Sequence, residues 1–177
     1  REVSRIIAEQ NPDADVDVVS NPEFLREGAA IEDFSKPDRV VIGAESDRAT
    51  ATMQQLYQPL AANGAEIMFT GLETAELIKY AANAFLATKI TFINEMADLC
   101  EKAGGNVLDV ARGIGLDSRI GPKFLQPGPG YGGSCFPKDT LALLKTAEQF
   151  GARVNVVDAV VRSNTECKLA MADRVIE

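Results

Sequence analysis

The chain contains no histidine. That excludes Ser-His-Asp and Cys-His catalytic pairs and any histidine-ligated metal, so acid–base chemistry near neutral pH falls to carboxylates, lysine, cysteine or water. Cysteine is scarce: three in 177 residues, at 100, 135 and 167, with no Cys-x-x-Cys. This spacing supports neither a disulfide framework nor a zinc site and fits a reducing cytoplasm. No run of 18 or more apolar residues occurs, so no membrane-spanning helix is expected. The opening Arg1-Glu2-Val3-Ser4-Arg5 is too charged for a signal-peptide core, and the lack of an initial methionine points to an excised or processed chain. Positive charge is in deficit as well. Lys and Arg number 18 against 26 Asp and Glu, a formal net charge of −8 that argues against a nucleic-acid surface. A nucleotide ligand stays open, since it needs only local N–H groups and one or two cations. Repeats and low-complexity segments are also missing, and a 46% hydrophobic, 25% charged composition is enough for one domain or two small ones.

What is present changes character along the chain. Residues 1–11 read as a short helix broken by Asn11-Pro12. Val16 to Ser20 reads as a strand, and Asn21-Pro22 as a helix opening with Asn21 as N-cap. Arg39 to Gly43 is a second strand, Asp47 to Ala62 a helix, and Ala65 to Phe69 a third strand. Strands alternating with helices indicate an α/β layer with at least partly parallel strands. After Gly71 no strand is evident. Glu73 to Gly104 carries one apolar stripe, from Leu77 through Ala81, Phe85 and Ile93 to Leu99, without an interrupting glycine or proline. Helices continue over Val107 to Gly113, Asp139 to Gly151 and from Asn155 onward. The expected fold class is therefore α/β followed by all-α. Residues 1–70 read as the distal part of a nucleotide-binding, Rossmann-like sheet without a Gly-x-Gly-x-x-Gly fingerprint, and 71–177 as a helical domain built on one long helix.

Four glycines occupy six positions in Gly128-Pro129-Gly130-Tyr131-Gly132-Gly133, followed by Ser134-Cys135-Phe136-Pro137-Lys138-Asp139. Such a backbone turns sharply or lets a ligand approach closely. Without a Lys-Ser/Thr ending or a preceding strand it is not a P-loop. Pro137 is expected at the first helical position, which puts Cys135 just outside a helix N-terminus and beside Lys138. A helix N-terminus and a neighbouring cation both favour a thiolate, the reactive form of the group. Asp139 could orient a water or take a proton. Two further pairs lie four residues apart. Glu23 and Glu27 would share one side of a short helix beyond a strand end, where α/β sheets bind ligands, though the same pattern fits a capped surface helix. Lys79 and Asn83, on the long helix, place a cation beside an amide donor as an oxyanion requires; the pattern equally fits two exposed polar side chains. Arg119 lies in a loop. Cys100 and Cys167 read as structural.

Three stretches resemble, in order, signatures of the UDP-glucose 6-dehydrogenase family: Ser20-Asn21-Pro22-Glu23-Phe24-Leu25-Arg26-Glu27-Gly28, Ile78-Lys79-Tyr80-Ala81-Ala82-Asn83-Ala84-Phe85-Leu86, and Gly132-Gly133-Ser134-Cys135-Phe136-Pro137-Lys138-Asp139. Pro37-Asp38-Arg39-Val40 fits the same pattern and carries no assigned role. The resemblance implies NAD-dependent, four-electron oxidation of UDP-glucose to UDP-glucuronate through a thiohemiacetal and thioester on Cys135. It implies Lys79 and Asn83 as oxyanion stabilisers, with Glu23 and Asp139 as proton or water partners in an undecided division of labour. Phe24, Leu25, Arg119, Phe124, Leu125, Gln126, Tyr131 and Gly132 would touch the nucleotide sugar, Arg119 in the neighbouring subunit's site. Glu27 and Lys138 would face the cofactor, NAD; no metal is implied. The long central helix would form a homodimer in the cytoplasm. Family members also carry an N-terminal dinucleotide fingerprint and a C-terminal nucleotide-sugar domain, so this chain is expected to be inactive alone. GDP-mannose, a UDP-N-acetylhexosamine, and a non-catalytic dimerisation scaffold are the alternatives.

Overall fold

The fold is taken from a computed structural model, which describes residues 2–176. Compactness divides the chain into Arg1–Lys79 and Tyr80–Glu177, a cut that falls inside one helix.

In the first unit, α1 (Glu2–Gln10), α2 (Ala30–Ser35), β1 (Arg39–Gly43), α3 (Asp47–Ala62) and β2 (Glu66–Thr70) lead into α4 (Leu72–Ala103). Strands β1 and β2 pair in parallel from Arg39 with Glu66 to Gly43 with Thr70. Parallel neighbours need a crossover, and α3 supplies it, packing on β2. Strand β1 is the buried one: Val41 and Ile42 are fully inaccessible, which suits a near-continuous β-branched run. Ser46 caps α3 by accepting the Ala49 N–H at 3.0 Å. A Cβ on Gly43 would lie 2.8 Å from Ala75 Cβ and 2.9 Å from Leu72 Cα, so only glycine lets the start of α4 pass over the end of β1.

Two expected elements are not formed. Residues 16–20 make no strand and meet β1 only where Ser20 bridges Gly43. The acids of this stretch are held from the side: Arg48 binds Asp15, just before it, and Asp17, within it, each at 2.6 Å, and Ser46 donates to Asp17. Asn21 opens no helix either. Its amide donates to the Val41 carbonyl at 2.8 Å and its oxygen accepts from the Tyr57 hydroxyl, so the side chain serves the sheet rather than a cap. The following turn is built by side chains instead. Glu23 accepts the Leu25 N–H, and Asp33 accepts the Arg26 N–H, both at 2.7 Å. Helix α2 begins later, at Ala30.

In the second unit, the rest of α4 is joined by α5 (Val107–Gly115), α6 (Cys135–Gln149) and α7 (Asn155–Ile176), with α6 packed on α7. Helix α4 has 32 residues, roughly 48 Å at 1.5 Å per residue. The core here joins Ala87, Tyr131 and Val160, with Ile90 and Phe136 against them. The apolar stripe of α4 is broader than one buried face. Ala84, Ala87 and Ile93 are buried, whereas Leu77, Phe85 and Leu99 are exposed, as is Phe92. Helix α6 starts at Cys135, two residues before the expected Pro137, with Ser134 as N-cap. Proline lacks the N–H that the first helical turn leaves unpaired, so position N3 costs it nothing. No helix among the described residues is long and apolar enough to cross a membrane.

Candidate active site

In the first unit, the turn after Ser20 presents Glu23, Phe24 and Leu25 next to the first turns of α4. Lys79 Nζ is 3.3 Å from Glu23 Oε1, with the lysine side chain only 14% exposed. Two cations lie over the Phe24 ring: the Arg39 guanidinium carbon is 4.0 Å from its centroid and Lys79 Nζ is 5.4 Å away. Both contacts fall within cation–π range and hold the ring in place. Arg39, the residue assigned no role, thus fixes the orientation of Phe24. Glu23 and Glu27 do not share a helical face, because no helix forms there; Glu27 is exposed in the turn before Gly28.

In the second unit, Cys135 is half-buried as the first residue of α6, its sulfur 3.7 Å from Ser134 Oγ. One turn on, Asp139 is 1% exposed. A carboxylate so buried requires partners, and it has them: Asn83 Nδ2 donates to Oδ2 at 2.6 Å, and the Lys138 ammonium donates to Oδ1. The Asp139 carboxylate holds Lys138 above the ordinary lysine range. Asn83 is itself buried, and its bond to Asp139 uses one of its two amide N–H groups. Cys135 and Asp139 stand four residues apart, hence on one face of α6. Anions at a helix N-terminus meet unpaired N–H groups and the positive end of the macrodipole. The face can therefore settle negative charge that develops beside the sulfur.

Around this start lies an aromatic wall. Phe124 and Tyr131 both meet Phe136 edge-on, at 6.3 and 6.0 Å between centroids. Phe124 takes a left-handed backbone conformation, φ 64°, unusual for a bulky residue and a mark of a constrained loop. Leu125 and Tyr131 are buried, while Gln126 and Gly132 are exposed. Arg119 is held in its own turn: Asp117 accepts its backbone N–H at 3.0 Å and its guanidinium at 2.6 Å.

Two family profiles match the chain. The central domain of the UDP-glucose/GDP-mannose dehydrogenase family matches residues 73–166, and the NAD binding domain of the same family matches residues 1–61. The chain belongs to the UDP-glucose/GDP-mannose dehydrogenase family. The UDP-glucose 6-dehydrogenase of Rhizobium meliloti is 64% identical over 177 residues, which is 99% of this chain and 40% of that protein. The UDP-glucose 6-dehydrogenase TuaD of Bacillus subtilis is 53% identical over 90% of this chain and 34% of its own length. Among solved structures, a UDP-glucose dehydrogenase from the hyperthermophilic archaeon Pyrobaculum islandicum has 44% identity and a TM-score of 0.88, over 93% of this chain and 37% of that one. The chain thus spans 40% or less of the length of these relatives.

Two residues of this family member escape motif reading. Asn94 on α4 and Asn164 on α7 are buried at 5% exposure each, and both bond the backbone of the glycine-rich loop. Their only trace in the sequence is an amide interrupting an apolar helical period.

Proposed function

We propose that this chain is the part of a cytoplasmic UDP-glucose 6-dehydrogenase that joins the end of its NAD-binding domain, residues 1–70, to a helical central domain, residues 71–177, and that it carries the catalytic thiol. The observation that carries the reading is Cys135 at the start of α6, one turn before a buried Asp139 held by Asn83 and Lys138. The names of the relatives at 53–64% identity favour UDP-glucose as the substrate.

The residues divide the work as follows. Phe24, Leu25, Phe124, Leu125, Gln126, Tyr131 and Gly132 bind the nucleotide sugar, and Arg119 reaches the neighbouring subunit's site in a homodimer formed through α4. The residues on the cofactor side suit NAD in chemistry: Lys138, its side chain 69% exposed, offers a cation to an anionic or carbonyl oxygen, and the exposed Glu27 accepts from a hydroxyl or amide. NAD, when bound, supplies a hydride acceptor for each of the two oxidations. Cys135 adds to the aldehyde at C6, the sulfur forming one bond and the carbonyl oxygen taking a proton, which gives a thiohemiacetal. After the second oxidation the carbon is a thioester. Water then adds, the C–S bond breaks, and the carboxylate leaves with the thiol restored. Lys79 and Asn83 stabilise oxygen anions along this course. Asp139 and Glu23 orient water and exchange protons. The covalent link keeps the aldehyde from escaping.

Cys135→Ser in the full-length enzyme tests this. Loss of about 10³-fold or more in carboxylate formation is expected, because an alcohol at neutral pH is a far weaker nucleophile than a thiolate. Carboxylate formation at the wild-type rate refutes the covalent route.

A further inference from the structure

The loop from Gly128 to Tyr131 has no regular structure to hold it, yet its backbone is pinned from two helices. Asn94 Oδ1 on α4 accepts the Gly128 N–H at 2.8 Å. Asn164 on α7 grips Tyr131 twice, its Oδ1 accepting the N–H at 2.7 Å and its Nδ2 donating to the carbonyl at 3.2 Å. Both asparagines are at least nine-tenths buried, so these bonds face little competition from water. Gly130 lies between the two pinned residues with φ 97°, and a Cβ there would come within 2.7 Å of Asn164 Oδ1. The backbone is thus pressed against the amide that holds it. The rest of α7 adds to the grip. The Cys167 sulfur lies 3.8 Å from the Gly128 carbonyl as a donor, and Lys168 Nζ sits 5.9 Å from the centre of the Tyr131 ring. Burial and the nearby Asp98 push the Cys167 thiol up, which keeps the proton it donates. Tyr131 in turn packs on Phe136, the neighbour of Cys135.

We propose that Asn164, assisted by Asn94, is a positioning residue that sets the backbone of the 128–132 loop and thereby the affinity of the enzyme for its nucleotide sugar. The inference rests on the reading that Tyr131 and Gly132 line the sugar nucleotide. An amide that accepts from N–H and donates to C=O of one residue copies a strand partner. No hydroxyl or carboxylate does both in that geometry. Freed from it, the glycine-rich segment samples many conformations, and each binding event has to order it again.

The test is steady-state kinetics of the full-length enzyme with UDP-glucose and NAD as separately varied substrates. Asn164→Ala is expected to raise the KM for UDP-glucose about tenfold, the equivalent of one or two lost hydrogen bonds, with the KM for NAD and kcat within about threefold of wild type. Asn94→Ala, which removes one bond, is expected to raise the UDP-glucose KM about threefold. A general loss of stability lowers the active fraction and leaves both KM values in place, so the split between them reports positioning. An active wild type whose Asn164→Ala variant keeps its UDP-glucose KM within twofold overturns the proposal alone. A wild type that oxidises no nucleotide sugar overturns the functional reading and this inference with it. If Asn164→Ala yields no folded enzyme, Asn94→Ala decides by the same ratio; failure of both to fold marks the pair as structural and overturns the proposal.

Discussion

Tyr131 shows how one residue can report on the packing behind the site. Its ring is 4% exposed, in the core with Ala87 and Val160. Burial pushes its phenol up from the ordinary tyrosine value, with a hydrogen bond to Thr140 opposing in part. A phenol that ionises later when folded than when unfolded contributes stability fully present below the unfolded value, about pH 10, and lost as the pH climbs through the folded one. The unfolded chain binds fewer protons in that window, so unfolding becomes easier with rising pH. Tyr131→Phe removes the ionisation and keeps the ring. Denaturant unfolding of the two proteins from pH 8 to pH 11 is expected to show wild type losing ground to the variant above about pH 10; a constant difference across the range would count against a buried phenol.

At the scale of elements, the end of β1 against the start of α4 leaves no room for a side chain. Gly43→Ala places a methyl group within 3 Å of Leu72 Cα and Ala75 Cβ, and backbone cannot yield as a side-chain tip does. The expected cost is about 2 kcal/mol or more of unfolding free energy, measured by chemical denaturation. A cost under about 0.5 kcal/mol, the scale of an ordinary surface change, would show that α4 can move away from the strand.

Elements governed by local rules were legible in the sequence, and those held by distant partners were not. Helix α3 was readable because Ala49, Met53, Leu56 and Leu60 keep a helical period, and the whole of α4 because nothing interrupts its own. The stretch 16–20 has the composition of a strand, but Arg48, about thirty residues away, holds Asp17 within it and Asp15 just before it. Asn21 carries the right residue type for a cap and spends it on Val41 and Tyr57. In the site, the nearness of Cys135 to a helix start was legible, but its common face with Asp139 was not, because α6 starts at Cys135 and not at the expected Pro137. The bonds from Asn94 to Gly128 and from Asn164 to Tyr131 join residues 34 and 33 positions apart. No periodicity reports such pairings; only the packing of the helices brings them together.

For the molecule as a whole, α4 carries a line of unspent apolar surface. Phe85, Phe92 and Leu99 recur at intervals of seven and are 67%, 46% and 56% exposed. Single exposed apolar side chains are ordinary, but a line of large ones along two helical repeats is what an interface between long helices uses. Seven residues fall about 20° short of two full turns, a drift that a modest supercoil absorbs when two such helices lie together. The proposed homodimer would bury this line. Sedimentation velocity of the chain at tens of micromolar is expected to show a dimer, and Phe85→Glu with Phe92→Glu a monomer with unchanged helical circular dichroism, since both side chains point to solvent in the isolated chain. Two buried aromatic rings, each worth about 2–3 kcal/mol when covered, account for a loss of 10³-fold or more in association. A monomeric wild type, or a double variant that dimerises as tightly, would move the interface elsewhere and leave the exposed line on α4 without a role in assembly.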